Sequence, residues 1–116
     1  MLKVGHWRDV QPEIYDSKDA KAEKRVLIGK KSGAENYVMR LFALPVGGFT
    51  PHHAHDWEHE VFVLKGKIEL VGEEGEKYVL EEGSFAFVPP NALHGFKNIG
   101  ETEARFICVI PTKGGE

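Results

Sequence analysis

An all-β domain, either a sandwich or a closed barrel of short strands, is the fold class predicted for this chain. Three observations carry the prediction. From Arg25 onward the sequence falls into short runs rich in β-branched, aromatic and leucine residues. Each run is bounded by glycine, proline or acidic residues that favour turns, and no stretch between the runs is long enough for a helix of ordinary length.

In order, the predicted strands are residues 25–28, 37–44, 60–64, 67–71, 77–80, 85–88, 94–97 and 104–110. The turns between them are punctuated by Pro45 with Gly47 and Gly48, by Gly66, by Gly72 with Gly75, by Gly83, by Pro89 with Pro90, and by Gly100. Ahead of the barrel, 4–7 and 13–15 read as edge strands and the polar stretch 16–24 as a loop. The chain is therefore taken as one domain over 1–116, an N-terminal segment 1–24 followed by a barrel over 25–116. An apolar N-terminal segment of this kind can pack on a second subunit and cover a sheet edge, so a homodimer is expected.

Size and charge narrow the function classes. A chain of 116 residues and 13.0 kDa, 41% hydrophobic, supports one core without disulfides. Its formal charge of -3 comes from 18 acidic and 15 basic residues, which lacks the basic surplus that selects a nucleic-acid partner. Lys18, Lys21, Lys24, Arg25, Lys30 and Lys31 are interleaved with Asp16, Asp19 and Glu23 and read as a solvated surface. Apolar runs such as 85–88 and 106–110 fall far short of the roughly 20 residues that cross a bilayer, so no membrane partner is expected. Cys108 is the single cysteine, and the first ten residues lack the basic-then-apolar pattern of a secretory leader. A cytoplasmic location is the expectation.

The chemistry lies in the histidines. His52, His53, His55 and His59 crowd into one segment, and His94 follows Pro89 and Pro90. In an extended chain side chains alternate, so His53 and His55 share a face. A turn through Asp56 and Trp57 brings His59 back on the next strand, with the parity of Val61 and Val63, towards the interior. His94 arrives from a distant strand, which a barrel can arrange. His53, His55, His59 and His94 are thus candidate ligands of one divalent metal, and imidazole alone leaves that metal open among zinc, copper, iron, nickel and manganese. His52 has the opposite parity and reads as a solvent-facing loop residue; no role attaches to His6.

The same residues resemble the cupin superfamily, whose motifs are G-(X)5-H-X-H-(X)3,4-E-(X)6-G and G-(X)5-P-X-G-(X)2-H-(X)3-N. The first runs from Gly47 through His53, His55 and His59 to Gly66, and the second from Gly83 through Pro89 and His94 to Asn98, with every interval kept. The resemblance implies a jelly-roll barrel, that is, a double-stranded β-helix. It departs in two places. His59 stands where the family has a glutamate, and Glu60 would be the ligand under a one-residue shift, although parity favours His59. Asn91 stands where the family has glycine, and asparagine also tolerates left-handed backbone angles. With His59 as ligand the site is similar to the four-histidine subgroup of small microbial single-domain cupins, including a manganese-binding one from Thermotoga. This places manganese or iron first, then nickel, copper and zinc.

Four protein ligands in an octahedral field leave two positions open to a small-molecule ligand or substrate, whereas four histidines close the tetrahedron of zinc. The resemblance implies a metal-dependent oxidoreductase, a dioxygenase or oxidase on a small organic molecule. A non-catalytic binding or sensor domain is the alternative, and an isomerase or epimerase a third reading that needs a base beyond the ligands. Alternation on the last strand turns Arg105 outward and Phe106, Cys108 and Ile110 towards the pocket. Cys108 reads as a plain buried thiol close to the metal. Arg40 is a candidate pocket cation, a surface position being the favoured reading.

Overall fold

A computed structural model describes residues 1–116. Nine strands build it: β1 (Glu13–Asp16), β2 (Lys21–Ile28), β3 (Tyr37–Leu44), β4 (His59–Lys65), β5 (Lys67–Val71), β6 (Lys77–Glu81), β7 (Phe85–Val88), β8 (Gly95–Asn98) and β9 (Ala104–Pro111). The only helical elements are three single 3-10 turns. No helix is long and apolar enough to cross a membrane.

The strands form two antiparallel sheets, one of six in the order β1-β2-β3-β9-β4-β7 and one of three in the order β6-β5-β8. Period-2 alternation supplies the core. Along β4, His59, Val61 and Val63 are buried while Glu60, Phe62 and Leu64 face solvent; along β9, Ala104, Phe106, Cys108 and Ile110 are buried between half-exposed neighbours. Phe106 sits between Phe42 and Phe96, with ring centroids 5.2 and 4.8 Å away. The segment leading out of β3 closes one side of the barrel. Phe49 bridges Lys21 on one sheet and Lys97 on the other, and Asn98 N–H donates to Gly48 at 2.8 Å.

Asn98 is 2% exposed and fully engaged. Its amide nitrogen donates to the carbonyls of Leu44, Pro45 and Thr102 at 2.9–3.1 Å, and its amide oxygen accepts from Gly100 N–H at 2.8 Å. It therefore ties the exit of β3 to the β8–β9 turn. Asn98→Ala leaves these buried groups unpaired and is expected to cost about 3 kcal/mol, read from the urea unfolding midpoint. A loss below about 1 kcal/mol would mean that water replaces the amide freely. Gly66 is a second fixed point, with φ +89° and a position where any Cβ would stand 2.8 Å from the Ala104 backbone.

Two N-terminal expectations are corrected. The barrel does not begin at Arg25, because β2 starts at Lys21 and pairs with β1 through Lys24↔Glu13 to Lys21↔Asp16. The stretch read as a loop is thus half strand, its ladder bonds outweighing its charge. No strand forms over 4–7 either. Instead Trp7 opens a 3-10 turn and its ring meets the guanidinium groups of Arg8, Arg25 and Arg105 at 4.9–5.2 Å. A side-chain anchor, not a hydrogen-bonded ladder, holds this segment against the outer face where Leu41 and Ala43 pair with Arg25 and Arg105. Arg105 points outward as expected. The segment 13–15 is an edge strand, β1, extended by Asp16.

Candidate metal centre

The histidine segment is held alongside the approach to β8 by reciprocal backbone bonds. His53 N–H donates to His94 and His94 N–H to His53, both at 2.9 Å, and Thr50 N–H donates to Phe96 at 2.9 Å. These bonds solve the problem of bringing a histidine from 41 residues away. The turn before His94 depends on Asn91, which takes φ +68° and donates its N–H to the His55 carbonyl. The asparagine does fill the left-handed position of the motif glycine.

Side chains converge from three elements. Nitrogen atoms of His53, His55 and His94 lie within 4.8 Å of one another and could hold a metal ion. His59, the first residue of β4, stands beside this triangle, its ring centroid 4.7 Å from that of His55 and 4.9 Å from that of His94. Nε2 of His55 and Nε2 of His59 are both buried without a hydrogen-bond partner. Two orphaned imidazole nitrogens in one cluster are costly in a dry interior and fit a metal ion that would accept their lone pairs. Glu60, the alternative ligand, is exposed on the opposite face.

Tautomers follow from the outer contacts. His94 Nδ1 lies 2.9 Å from the Ala92 carbonyl and donates to it, which leaves the Nε2 lone pair for the cluster. His59 Nδ1 lies 3.1 Å from Cys108 Sγ, and Arg40 Nη2 donates to the same sulfur at 3.1 Å. His55 is stacked flat on Trp57, centroids 4.6 Å apart and planes 2° from parallel. All four histidines are held below the ordinary imidazole range. Burial is the main cause in each, followed for His53, His55 and His59 by the charges of neighbouring histidines and Arg40; for His94 the Ala92 bond opposes burial in part and the charge of His52 adds to it. His55 is lowered to about 4 and His59 to about 3. At neutral pH all four are uncharged and able to donate lone pairs.

The cluster opens on a cavity of about 230 Å³. Phe42, Phe96 and Phe106 wall it, Tyr15, Lys24, Arg40 and Thr50 add polar groups, and no carboxylate lines it. Phe106 and Cys108 line it as read from the sequence. Ile110 does not: it is buried in the core beyond the cavity, one inward position past Cys108. Arg40, the candidate pocket cation, does line the cavity and not the surface position favoured for it, because its parity with Val38 and Phe42 turns it inward. Lys24 is a second correction, since its side chain is only 12% exposed and faces the pocket rather than a solvated surface. Parity with buried Ala22 was the available signal. Tyr15 is a further lining residue without a sequence signal of its own; β1 brings it to the rim, where its hydroxyl donates to Glu13. His52 is exposed and His6 caps the first 3-10 turn, in keeping with their sequence readings.

Comparison with known proteins identifies the family. Residues 40–110 match the cupin domain family. Over 66 residues the chain is 38% identical to an uncharacterized protein of Aquifex aeolicus, a stretch covering 57% of this chain and 54% of that one. It thus spans about half the length of that relative. It is 26% identical over 106 residues to the polyketide synthase CurC of Streptomyces cyaneus, covering 84% of this chain and 68% of the other. Its structure superposes on the polyketide cyclase RemF from Streptomyces resistomycificus with a TM-score of 0.88, at 36% identity over 96% of this chain and 80% of that one. A predicted oxalate decarboxylase from Thermotoga maritima superposes with a TM-score of 0.81 at 21% identity, covering 94% and 98% of the two chains, a likeness of fold alone. By motif, barrel and histidine cluster together, the chain belongs to the cupin family.

Proposed function

We propose that this protein is a metal-dependent enzyme acting on a small, enolisable carbonyl compound, with His53, His55, His59 and His94 as the metal ligands. The observation that carries the proposal is the opening of a neutral histidine cluster onto an aromatic-walled cavity that holds cations and no carboxylate. A divalent metal there supplies Lewis acidity towards negative charge developing on a substrate oxygen. The chain's own part is to hold and surround that oxygen. Phe42, Phe96 and Phe106 exclude water and stack on a flat substrate, while Lys24 and Arg40 favour an enolate over its neutral parent. Similarity to RemF and CurC supports a substrate of polyketide type and ring closure as the reaction.

The sequence expectation of a dioxygenase or oxidase is the second reading, supported by the same water-excluding walls around a neutral ligand set. The isomerase reading needs the same removal of a proton beside a carbonyl as ring closure does, and the two are told apart by product, an isomer of unchanged mass against a ring formed with loss of water. Elemental analysis identifies the metal, for which manganese or iron ranks ahead of nickel, copper and zinc. Incubation of the loaded protein with linear poly-β-ketones under argon then separates the readings. Cyclised product with loss of water, formed equally without oxygen, is the expected result. Strict dependence on oxygen uptake would transfer the assignment to the oxidoreductase, and binding without turnover to the non-catalytic alternative.

Cys108 is the outer support of this ligand set. With Nδ1–H of His59 donating to Sγ, the ring presents Nε2 to the cluster. Cys108→Ala is expected to weaken metal affinity roughly tenfold, measured by competition with a chelator, as losses of outer hydrogen-bond partners do. Unchanged affinity would make the thiol a packing residue only.

A second apolar surface, beside the N-terminal segment, supports the expected homodimer. Phe62, Leu64, Phe85 and Phe87 are exposed together on the outer face of β4 and the edge strand β7, where Phe62 pairs with Phe85. Sedimentation at micromolar concentration is expected to give a dimer; a monomer would remove the proposal.

A further inference from the structure

Two cations line the cavity, and they differ in how they are paired. Lys24 Nζ lies 3.4 Å from Glu13 Oε2, so its charge is matched at the rim. Arg40 forms no ion pair. One of its five donors reaches Cys108 Sγ, a weak acceptor, and its Nε is buried with no partner. The Phe42 ring lies 5.0 Å from the guanidinium carbon and supports it without neutralising it. Arg40 is not a residue that strayed inward. It occupies an inward position of β3, opposite Cys108 of β9, and its charge is felt by His53, His55 and His59. A half-buried guanidinium with a buried, unpartnered Nε and no anion is costly, and a protein that keeps one beside an open cavity offers it to an anionic ligand.

We infer that Arg40 is the anion-recognition residue of the pocket and that the molecule bound there carries a carboxylate. Its planar fork matches the two oxygens of a carboxylate, while the aromatic walls hold the body of the ligand and the histidine centre takes a second oxygen function. This rests on the reading of the cavity as the substrate site and narrows its substrates to carboxylate-bearing members of the carbonyl class.

Benzoate and benzamide have nearly the same shape and differ in charge, which makes them suitable probes for calorimetric titration. The titrations use wild-type, Arg40→Gln and Arg40→Lys protein, each metal-loaded and again after chelation, with metal content and melting temperature measured on every sample. The wild type is expected to bind benzoate roughly tenfold or more tightly than benzamide in both states. Arg40→Gln is expected to erase that preference without losing metal, and Arg40→Lys to keep part of it, since a lysine retains charge but not the fork. A preference that survives in Arg40→Gln, or that is absent from the chelated wild type, would overturn the inference by assigning selectivity to the metal or to the walls. The two proposals fail separately. Arg40-dependent benzoate binding in a protein that takes up no metal would uphold the anion site and remove the metalloenzyme.

Discussion

Replacing His59 by alanine is expected to weaken metal binding by at least about 100-fold, whereas Glu60→Ala leaves it unchanged. Outer hydrogen-bond partners of metal ligands are worth 10- to 100-fold, and a ligand exceeds its own support. The pair of variants tests the point at which this chain departs from the family pattern. His59 is 5% exposed, faces inward with Val61 and Val63, and leaves Nε2 without a partner; Glu60 lies on the other face of the same strand. A one-residue slip would exchange the two faces along all of β4, so the register is held by every apolar residue of the strand and not by His59 alone. Chelator competition with manganese and with zinc reads out the affinity. Equal affinity in His59→Ala and wild type would limit the centre to His53, His55 and His94, whose nitrogens already lie within 4.8 Å of one another. His59→Glu restores the family's carboxylate and is expected to retain metal, with selectivity shifted towards harder ions because the site then carries a negative charge.

What could be read from the residues, and what could not, follows from how strands display information. β3, β5 and β7 begin and end where the runs 37–44, 67–71 and 85–88 predicted, because each is bounded by a turn residue and carries a strong apolar signal. The ligand candidates were legible because motif intervals and parity agree. Parity, however, reports the side of a strand and not the depth along the barrel. Ile110 shares a face with Phe106 and Cys108 but lies past the end of the cavity. Lys24, assigned to solvent, and Arg40, a pocket candidate for which the surface was favoured, are more instructive. Charged residues within a strand are normally assigned to solvent, and the assumption fails where the inward face serves a polar site. For β2 the difficulty was compounded by its first four residues, Lys21 to Lys24, in which Ala22 is the only apolar side chain. Trp7 misled in the opposite way: an aromatic residue among β-formers read as strand, while its partners, Arg25 and Arg105, lie on strands that no local pattern connects to it.

Acidification of the metal-free protein is expected to produce the other large effect, a loss of stability that begins as pH falls below about 6.5. His59 titrates near 6.5 when unfolded and is held at about 3 in the fold, by burial first and then by the charges of His94, Arg40, His55 and His53. Between those values the unfolded chain carries a proton that the folded chain refuses, so each step down in pH favours unfolding. For this one histidine the slope is about 1.4 kcal/mol per pH unit, and it vanishes above 6.5, where both states are neutral. His55, lowered to about 4, acts in the same direction, as do His53 and His94. Two shifted carboxylates act in opposite directions and partly cancel. Glu13 is held down by its bond from Tyr15 and loses stability there, whereas Glu60 is raised by burial and by Glu58 and gains it. The fall just below pH 6.5 is therefore driven by the histidines. Urea unfolding of chelated protein across that window is expected to show a steep fall, shallower in His59→Ala by about the slope of one residue. Bound metal is expected to delay the fall, since it stabilises only the folded state in which the four rings converge. A flat profile between pH 7.5 and 5 would mean that the rings take up protons without resistance, and with it the argument that the barrel keeps them neutral for a metal would fail.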